Sequence, residues 1–297
     1  MSCTEKREKI FILGVGAQKA GTTWLHRQLC GSTQFSPGFA KEYHTFDCLY
    51  SPVCGGVRKR LLAATQRSLR ESTNTAPTSP RSSHGQHAKQ LSFIEDPTNY
   101  FEYFDYLWLS QPSIKATGDI TPSYSTLNSE AFRYIRTGLI EKGFQPRVIF
   151  LMRDPIERIW SMLRMDWRNR GITLSHEEEM NHLLASHNQR GVYLRTSYDL
   201  TITALSQAFP EEEVHYALYE TLFTDAEYNK ISSFTGISLP PADFETAVNA
   251  SPKINNSPVS ENEALSIANT YRNAYCEARR IFGGDVTHLW PGYAYIN

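Results

Sequence analysis

The stretch from residue 10 to residue 29, IFILGVGAQKAGTTWLHRQL, constrains the fold more than any other part of the chain. Residues 10–13 form a short apolar run that predicts a buried strand. A glycine-rich turn covers residues 14–23, and apolar residues at helical spacing resume at Trp24. A strand, a glycine loop and a helix start direct backbone N–H groups toward one point, where an anion can bind. The stretch therefore predicts an α/β unit with an anion site at its turn.

This loop differs from the loop that binds nucleoside triphosphates. In that motif a Lys follows the last Gly directly, and a Ser or Thr follows the Lys to hold Mg²⁺. Here Lys19 precedes Gly21 by two positions, and Thr22 and Thr23 follow the glycine. We therefore expect a phosphate-like group to be bound without a metal ion. The alternative is a tight turn whose glycines only relieve backbone strain.

The composition is that of an ordinary globular protein. The chain has 297 residues, of which 40% are hydrophobic and 21% charged, enough for one large domain or two small ones. A net charge of -1 gives no electrostatic footprint for nucleic acid. The chain has no apolar run long enough to predict a membrane span, and its polar N-terminus leaves no room for a signal peptide. The five cysteines are scattered and fit reduced thiols in a cytoplasmic protein.

Apolar strands alternate with helices along the rest of the chain. Residues 113–127 predict a strand that ends in a turn at Thr121-Pro122, residues 147–152 a buried strand, and residues 214–218 a short one. Helices are predicted at residues 57–70, 100–108, 129–140, 155–170, 176–187, 193–208, 220–235 and 260–281. Residues 71–90 are rich in Ser, Thr, Pro and His and predict a mobile surface insertion. The pattern predicts one α/β domain over residues 1–297, with a P-loop-like central parallel sheet and helices on both faces.

A second candidate site follows the strand at residues 147–152. Arg153 lies at the carboxyl end of that strand, where ligands bind in such sheets. Asp154 and Pro155 suit the start of a helix, and Ser161 lies two turns further along it. A guanidinium and a hydroxyl together suit a phosphate monoester. The alternative is that Arg153 only forms an ion pair with Asp154 or Glu157.

A third candidate site is the segment AKEYHTFD, residues 40–47. In an extended conformation Glu42 and His44 lie on the same face. A carboxylate and an imidazole near a dianionic ligand can act as a general base and a charged partner. The alternative is a solvated loop.

Together these stretches resemble the sulfotransferases that use 3′-phosphoadenosine-5′-phosphosulfate (PAPS). AQKAGTTWL, residues 17–25, resembles the 5′-phosphosulfate loop of that family, and VIFLMRDPIERIWS, residues 148–161, resembles its 3′-phosphate strand and helix. AKEYHTFD and GDITPSY (residues 118–124) are similar to the catalytic segment and the substrate turn of the heparan sulfate O- and N-sulfotransferase branch. Residues 190–223 and 271–290 follow the pattern of that branch as well.

The resemblance implies a role for each matching residue. The loop would hold the 5′-phosphosulfate of PAPS and of the product PAP through Gln18, Lys19, Ala20, Gly21, Thr22, Thr23 and Trp24. Arg153 and Ser161 would bind the 3′-phosphate, and Lys253 would close over the nucleotide. Trp24 would either stack on the adenine or serve as a core aromatic.

The resemblance also implies the chemistry. Glu42 would take the proton from the acceptor hydroxyl, with Lys19 and His44 as the other catalytic residues and no metal ion. Asp47 and Thr121 would contact the acceptor. The heparan sulfate enzymes carry a Lys just before the Thr or Ser of the substrate turn, whereas this chain has Ile120. We therefore expect transfer to a hydroxyl of a small molecule, lipid or glycan. The alternatives are a nucleotide kinase or related phosphotransferase, and a nucleotide-binding protein without activity.

Overall fold

The computed structural model describes residues 7–72, 83–242, 244 and 259–296. At its centre is a five-stranded sheet in the order β2-β3-β1-β4-β5, in which every pair of neighbours is parallel. The strands are β1 Ile10–Gly16, β2 Phe35–Ser36, β3 Ala116–Ile120, β4 Gln145–Met152 and β5 Val214–Leu218. The predicted α/β fold with a P-loop-like parallel sheet is confirmed.

Helices cover both faces of the sheet. The phenyl ring of Phe11 packs against Tyr100 and Phe104 on one face, whereas the neighbouring Ile10 side chain approaches Gly236; successive residues of a strand point to opposite faces. The helices are α1 Thr22–Gly31, α2 Thr45–Tyr50, α3 Gly56–Ser72, α4 Ser83–Glu95, α5 Thr98–Ser110, α6 Ser129–Glu141, α7 Pro155–Asn169, α8 His176–Ser186, α9 Arg190–Thr196, α10 Tyr198–Ser206, α11 Asp225–Thr235, α12 Glu261–Thr270, α13 Arg272–Phe282 and α14 Val286–Leu289. Over the described ranges, none of them has the length and apolarity that crossing a bilayer requires.

The topology brings three candidate site positions to one edge of the sheet. Strand β1 runs between β3 and β4, and its seven residues are all buried. The glycine loop follows β1, Thr121 follows β3, and Arg153 follows β4. Because the carboxyl ends of parallel strands meet at the same edge, these three positions are neighbours in space.

The structure corrects several predicted boundaries. Strand β1 continues to Gly16, the predicted helix 193–208 breaks at Ser197, and the predicted helix 260–281 breaks at Tyr271. Of the insertion predicted to be mobile at residues 71–90, residues 83–90 belong to α4. The apolar residues that anchor this helix, Phe93 and Ile94, come after the segment whose composition suggested mobility. Residues 73–82 lie outside the described ranges.

Candidate functional site

The loop after β1 has the backbone geometry of an anion site. Lys19 (φ 72°) and Gly21 (φ 93°) both adopt the left-handed conformation. Gly21 directly precedes α1, and no side chain caps this helix, so the N–H groups of its first turn are available to a ligand. A Cβ atom at position 21 would lie 2.4 Å from Cδ2 of Leu222. Only glycine therefore fits the position that turns the chain into α1.

Positive charge converges on this loop. Arg153 Nη1 donates a hydrogen bond to the Lys19 carbonyl oxygen at 3.4 Å, which joins the first motif to the second. Burial lowers the pKa of the Lys19 ammonium, and the nearby charges of Arg168 and Arg153 lower it further. The lowered pKa of Lys19 thus reflects a repulsion between its ammonium and these two guanidinium groups. An anionic ligand would relieve it.

Arg153 also forms the ion pair that the sequence left as an alternative. Its Nη2 lies 3.1 Å from Glu157 Oε2, one helical turn away, and its guanidinium lies 4.5 Å from the ring centroid of Tyr219. Asp154 is not its partner. These contacts hold the guanidinium beside the loop, so the ion pair and a role in binding are compatible.

Asp154 fixes the turn that carries Arg153. Its Oδ1 accepts hydrogen bonds from the N–H groups of Ile156 and Glu157 at 2.8 and 3.2 Å, which caps α7 as predicted. Its Oδ2 accepts from Gly292 N and from the Tyr275 hydroxyl. Burial raises the pKa of Asp154 to about 6. The C-terminal segment is thereby tied to the same strand end.

The remaining donor-site candidates differ in their exposure. Ser161, Gln18 and Thr23 are half-buried, whereas Ala20 and Thr22 are buried. Lys253 lies outside the described residues.

Trp24 lies in an aromatic cluster below the loop. It is 2% exposed, and its ring centroid lies 5.2 Å from Phe223, 5.9 Å from Tyr228 and 6.2 Å from Phe244. The ring planes of Trp24 and Phe244 are nearly parallel, at 28°. Of the two roles that the sequence left open, the core aromatic is the one that this arrangement fits.

The third motif forms a chain of alternating charges. Lys41 Nζ pairs with Glu42 Oε1, His44 Nε2 lies 3.3 Å from Glu42 Oε2, and His44 Nδ1 lies 2.8 Å from Asp47 Oδ2. Burial alone would raise the pKa of Glu42, but the hydrogen bonds and charges of His44 and Lys41 outweigh it and lower that pKa to about 2. At neutral pH Glu42 is therefore a carboxylate.

His44 is the cation at the centre of this chain. Burial alone would lower its pKa, but the hydrogen bonds and charges of Asp47 and Glu42 outweigh it and raise the pKa to about 10. An imidazolium cannot accept a proton at neutral pH. His44 is thus placed to orient and neutralise carboxylates rather than to act as a base.

The end of β3 holds this segment in place. Ile120 N donates to the Lys41 carbonyl at 3.0 Å, and Tyr43 N donates to Thr121 Oγ1 at 3.0 Å. Thr121 is 0% exposed, and its hydroxyl donates to Asp119. In this arrangement Thr121 supports residues 40–47, whereas the sequence predicted a substrate contact for it.

Three supporting residues escaped the sequence analysis. The Gln90 amide donates to the Glu42 carbonyl at 2.9 Å, the Ser123 hydroxyl donates to Asp47 Oδ2, and the buried Asp119 accepts from the hydroxyls of Tyr100 and Tyr124. Ser123 lies within the GDITPSY stretch, where a hydroxyl next to the turn was the available signal. Gln90 carries no local signal, because it reaches Glu42 from a helix 48 positions later.

Helix α1 links the glycine loop to residues 40–47. His26 lies on this helix, and burial together with the charge of Lys41 lowers its pKa to about 4, against the opposing charge of Glu42. Residues 40–47 also pair with the end of β3 through Ile120 N and the Lys41 carbonyl, and Ile120 lies beside Gly14 of β1, so the glycine loop and this segment lie at the same edge of the sheet. The glycine loop thus offers a positively charged site for an anion, and the ionised carboxylate of Glu42 lies beside α1.

Comparison with known proteins finds one family model and several solved structures that match this chain. A family model described as a sulfotransferase domain matches residues 7–273. The solved structure of a sulfotransferase from Alicyclobacillus acidocaldarius is 17% identical, with 93% of this chain and 96% of that chain covered and a TM-score of 0.54. The sulfotransferase domain of the Synechococcus PCC 7002 olefin synthase is also 17% identical, with 91% and 96% covered and a TM-score of 0.47. At such identities the structural likeness concerns the fold alone. A comparison with curated protein sequences finds no match.

Proposed function

The chain belongs to the sulfotransferase domain family, and from that premise we propose that it transfers the sulfuryl group of PAPS to an acceptor hydroxyl, with Glu42 as the general base and without a metal ion. The observation that carries the proposal is that Lys19 lies beside an uncapped helix start and that the Arg153 guanidinium donates to its carbonyl oxygen. A donor with a phosphosulfate at one end and a 3′-phosphate at the other supplies the anions that such a site needs.

The donor would span the edge of the sheet from β1 to β4. Its phosphosulfate would bind to the first-turn N–H groups of α1 and to the Lys19 ammonium. Its 3′-phosphate would bind to Arg153 and Ser161. The hydrogen bond from Arg153 to the Lys19 carbonyl supports this assignment, because it holds the guanidinium beside the glycine loop.

The transfer itself needs one base and one stabilised leaving group. The acceptor oxygen forms a bond to sulfur while the bond from sulfur to the bridging oxygen breaks, and PAP leaves with the electron pair of that bond. Lys19 and the loop N–H groups would stabilise the charge that develops on the bridging oxygen. Glu42 receives the hydroxyl proton; its low pKa keeps it ionised, and the proton moves as the acceptor oxygen becomes acidic on bonding to sulfur.

Binding and chemistry can be tested separately. We expect PAP to raise the melting temperature of the wild type, and Arg153→Ala to abolish that shift. Arg280→Ala is the matched control, because Arg280 also pairs with a nearby helical carboxylate, Glu277. Glu42→Gln should keep the PAP shift and lower the transfer of ³⁵S from PAPS by about 10²- to 10⁴-fold, the usual worth of a general base.

Two results would contradict the proposal. A wild type that shows no thermal shift with PAP lacks the donor site, and magnesium-dependent ATP hydrolysis would then favour a phosphotransferase. A Glu42→Gln variant with undiminished turnover would remove Glu42 from the role of base.

A further inference from the structure

A pocket of about 490 Å³ opens beside the glycine loop, between α7, α8 and the start of α9. Gln18 of the loop forms part of its wall, directly before Lys19. Met165 forms another part, and its sulfur is the atom that Lys19 Nζ contacts at 3.6 Å. This side of the pocket therefore borders the ammonium that would face the transferred group.

Another part of the wall connects through α9 to residues 40–47. Val192 of α9 lines the pocket, and α9 packs against the turn Pro122–Thr126. From that turn, Ser123 donates to Asp47, the partner of His44. The pocket thus lies between the glycine loop, which would hold the donor, and the turn Pro122–Thr126, whose Ser123 contacts Asp47.

The lining is mainly apolar and electrically balanced. The apolar side chains come from α7 and from the residues after it, and include Met162, Leu163, Trp167, Ile172 and Leu174. The charged residues Asp166 and Arg170 also line the pocket, but they pair with each other at 3.1 Å. A polyanionic glycan would need unpaired cations along its path, and this lining does not supply a row of them.

Helices α7 and α8 are fixed to each other, so the pocket has a defined shape. Glu179 of α8 is buried and accepts from Trp160 Nε1 at 2.7 Å and from Arg164 Nε at 3.1 Å, both on α7. A volume of this size is within the range of small-molecule sites, roughly 300–1,000 Å³. A largely apolar lining favours a ligand that gains free energy by leaving water.

On the basis of the proposed function, we propose that this pocket binds the acceptor and that the acceptor is a small, uncharged, largely apolar alcohol or phenol. Its apolar body contacts the side chains of α7, and its hydroxyl leaves the pocket on the side of Gln18 and Met165, toward the donor and Glu42. A charged glycan is excluded as the preferred acceptor.

The test compares two tryptophan substitutions at similarly exposed positions. Ile172, 43% exposed, lines the pocket, whereas Leu184, 40% exposed, lies on α8 outside it. We expect 2-naphthol and 1-octanol to bind the wild type in calorimetric titrations with PAP present, and an unsulfated glucosamine–glucuronate tetrasaccharide not to bind. Ile172→Trp should weaken binding of both alcohols at least tenfold, and Leu184→Trp less than twofold. Both variants should keep the PAP thermal shift, which reports an intact fold.

The result that overturns the inference differs from the result that overturns the proposed function. The pocket assignment fails if neither alcohol binds, if the tetrasaccharide binds more tightly, or if the two tryptophan variants behave alike. Loss of the PAP shift in the wild type would instead remove the donor assignment. In that case titration of the free protein with 2-naphthol, with the same two variants, still decides whether the pocket takes such ligands.

Discussion

At the scale of single residues, the proposed chemistry depends on the charge state of Glu42 and His44. Glu42 is an acid with a pKa of about 2 because its neighbours are cations, and His44 has a pKa of about 10 because its neighbours are carboxylates. Each group keeps the other ionised across the physiological range. His44 contacts Asp47 as well as Glu42, so Asp47 controls how far this state extends toward alkaline pH.

Asp47→Asn should narrow the pH range of activity. The substitution keeps the shape of the side chain, and the new NH₂ group can occupy the position of Oδ1, which has no hydrogen-bond partner. With one carboxylate lost, the pKa of His44 should fall from about 10. Above the new pKa the imidazole is neutral and no longer fixes the Glu42 carboxylate. We expect the alkaline limb of the pH profile of kcat/KM to shift to a pH at least about one unit lower. A shift of one unit corresponds to about 1.4 kcal/mol of interaction between His44 and the lost carboxylate.

The matched control for this experiment is Ser123→Ala. Ser123 donates to the same Asp47 oxygen but carries no charge, so its removal should move the limb much less. The measurement is kcat/KM for ³⁵S transfer from PAPS between pH 6 and 9.5. A profile of Asp47→Asn that runs parallel to that of the wild type would show that His44 does not act through its charge.

At the scale of elements, the site depends on how the backbone leaves β1 and enters α1. The turn needs a left-handed residue at position 21, and the space beside it is taken by Leu222. The sequence predicted this loop well because its signals are local: an apolar run, three glycines and a lysine within a few residues. The strand and helix around Arg153 were predicted for the same reason, since Asp154 and Pro155 mark the helix start themselves.

Other parts of the site could not be predicted, because their contacts join distant segments. Asp119 is buried in β3, and hydroxyls from Tyr100 and Tyr124 satisfy it. Thr121 turns inward to bond Tyr43 N rather than outward. Gln90 belongs to a helix that apolar residues further along the chain stabilise. The sequence near these residues does not indicate which partners they contact.

Gly21→Ala should remove donor binding as well as stability. A side chain at φ 93° is strained, and its Cβ would overlap with Leu222; strain of this kind costs about 1–3 kcal/mol. Since the loop must shift to make room, the N–H groups of α1 lose their alignment. We expect a lower melting temperature and no thermal shift with PAP.

Gly171→Ala is the control that introduces backbone strain without steric overlap. Gly171 also has a positive φ, 67°, but nothing lies within 4 Å of the position that its Cβ would occupy. This variant should lose some stability for the same conformational reason and keep the full PAP shift. PAP binding by Gly21→Ala that matches the wild type would contradict the role given to the loop.

At the scale of the whole molecule, buried acids tie distant segments together and make stability depend on pH. Asp154 joins the turn after β4 to the C-terminal segment, Glu220 accepts from Trp290 Nε1, and Asp119 holds the end of β3. Burial raises the pKa of Asp119 and Asp154 to about 6 and that of Glu220 to about 7. The folded state therefore binds protons more tightly at these groups than the unfolded chain does.

This difference sets the sign of the pH dependence. An acid whose pKa is raised on folding contributes stability below its unfolded pKa, near 4, and loses that contribution as pH rises through 6 to 7. His44 likewise makes the free energy of unfolding fall as pH rises above 6.5, because its contribution to stability is lost as pH approaches 10. His26, with its pKa lowered to about 4, opposes the trend only below pH 6.5. Taken together, these groups should make the protein less stable at pH 8 than at pH 6.

Urea unfolding at intervals between pH 5 and 8 measures this slope directly. We expect the free energy of unfolding to fall as pH rises, and Asp119→Asn to flatten the slope between pH 5 and 6, because the amide cannot titrate. Ser92→Ala, which removes only a local bond to the Lys89 carbonyl, should leave the slope unchanged. A free energy of unfolding that rises steadily from pH 5 to 8 would mean that the three carboxyl groups are ionised in the folded protein at pH 5, and that their hydrogen bonds outweigh burial.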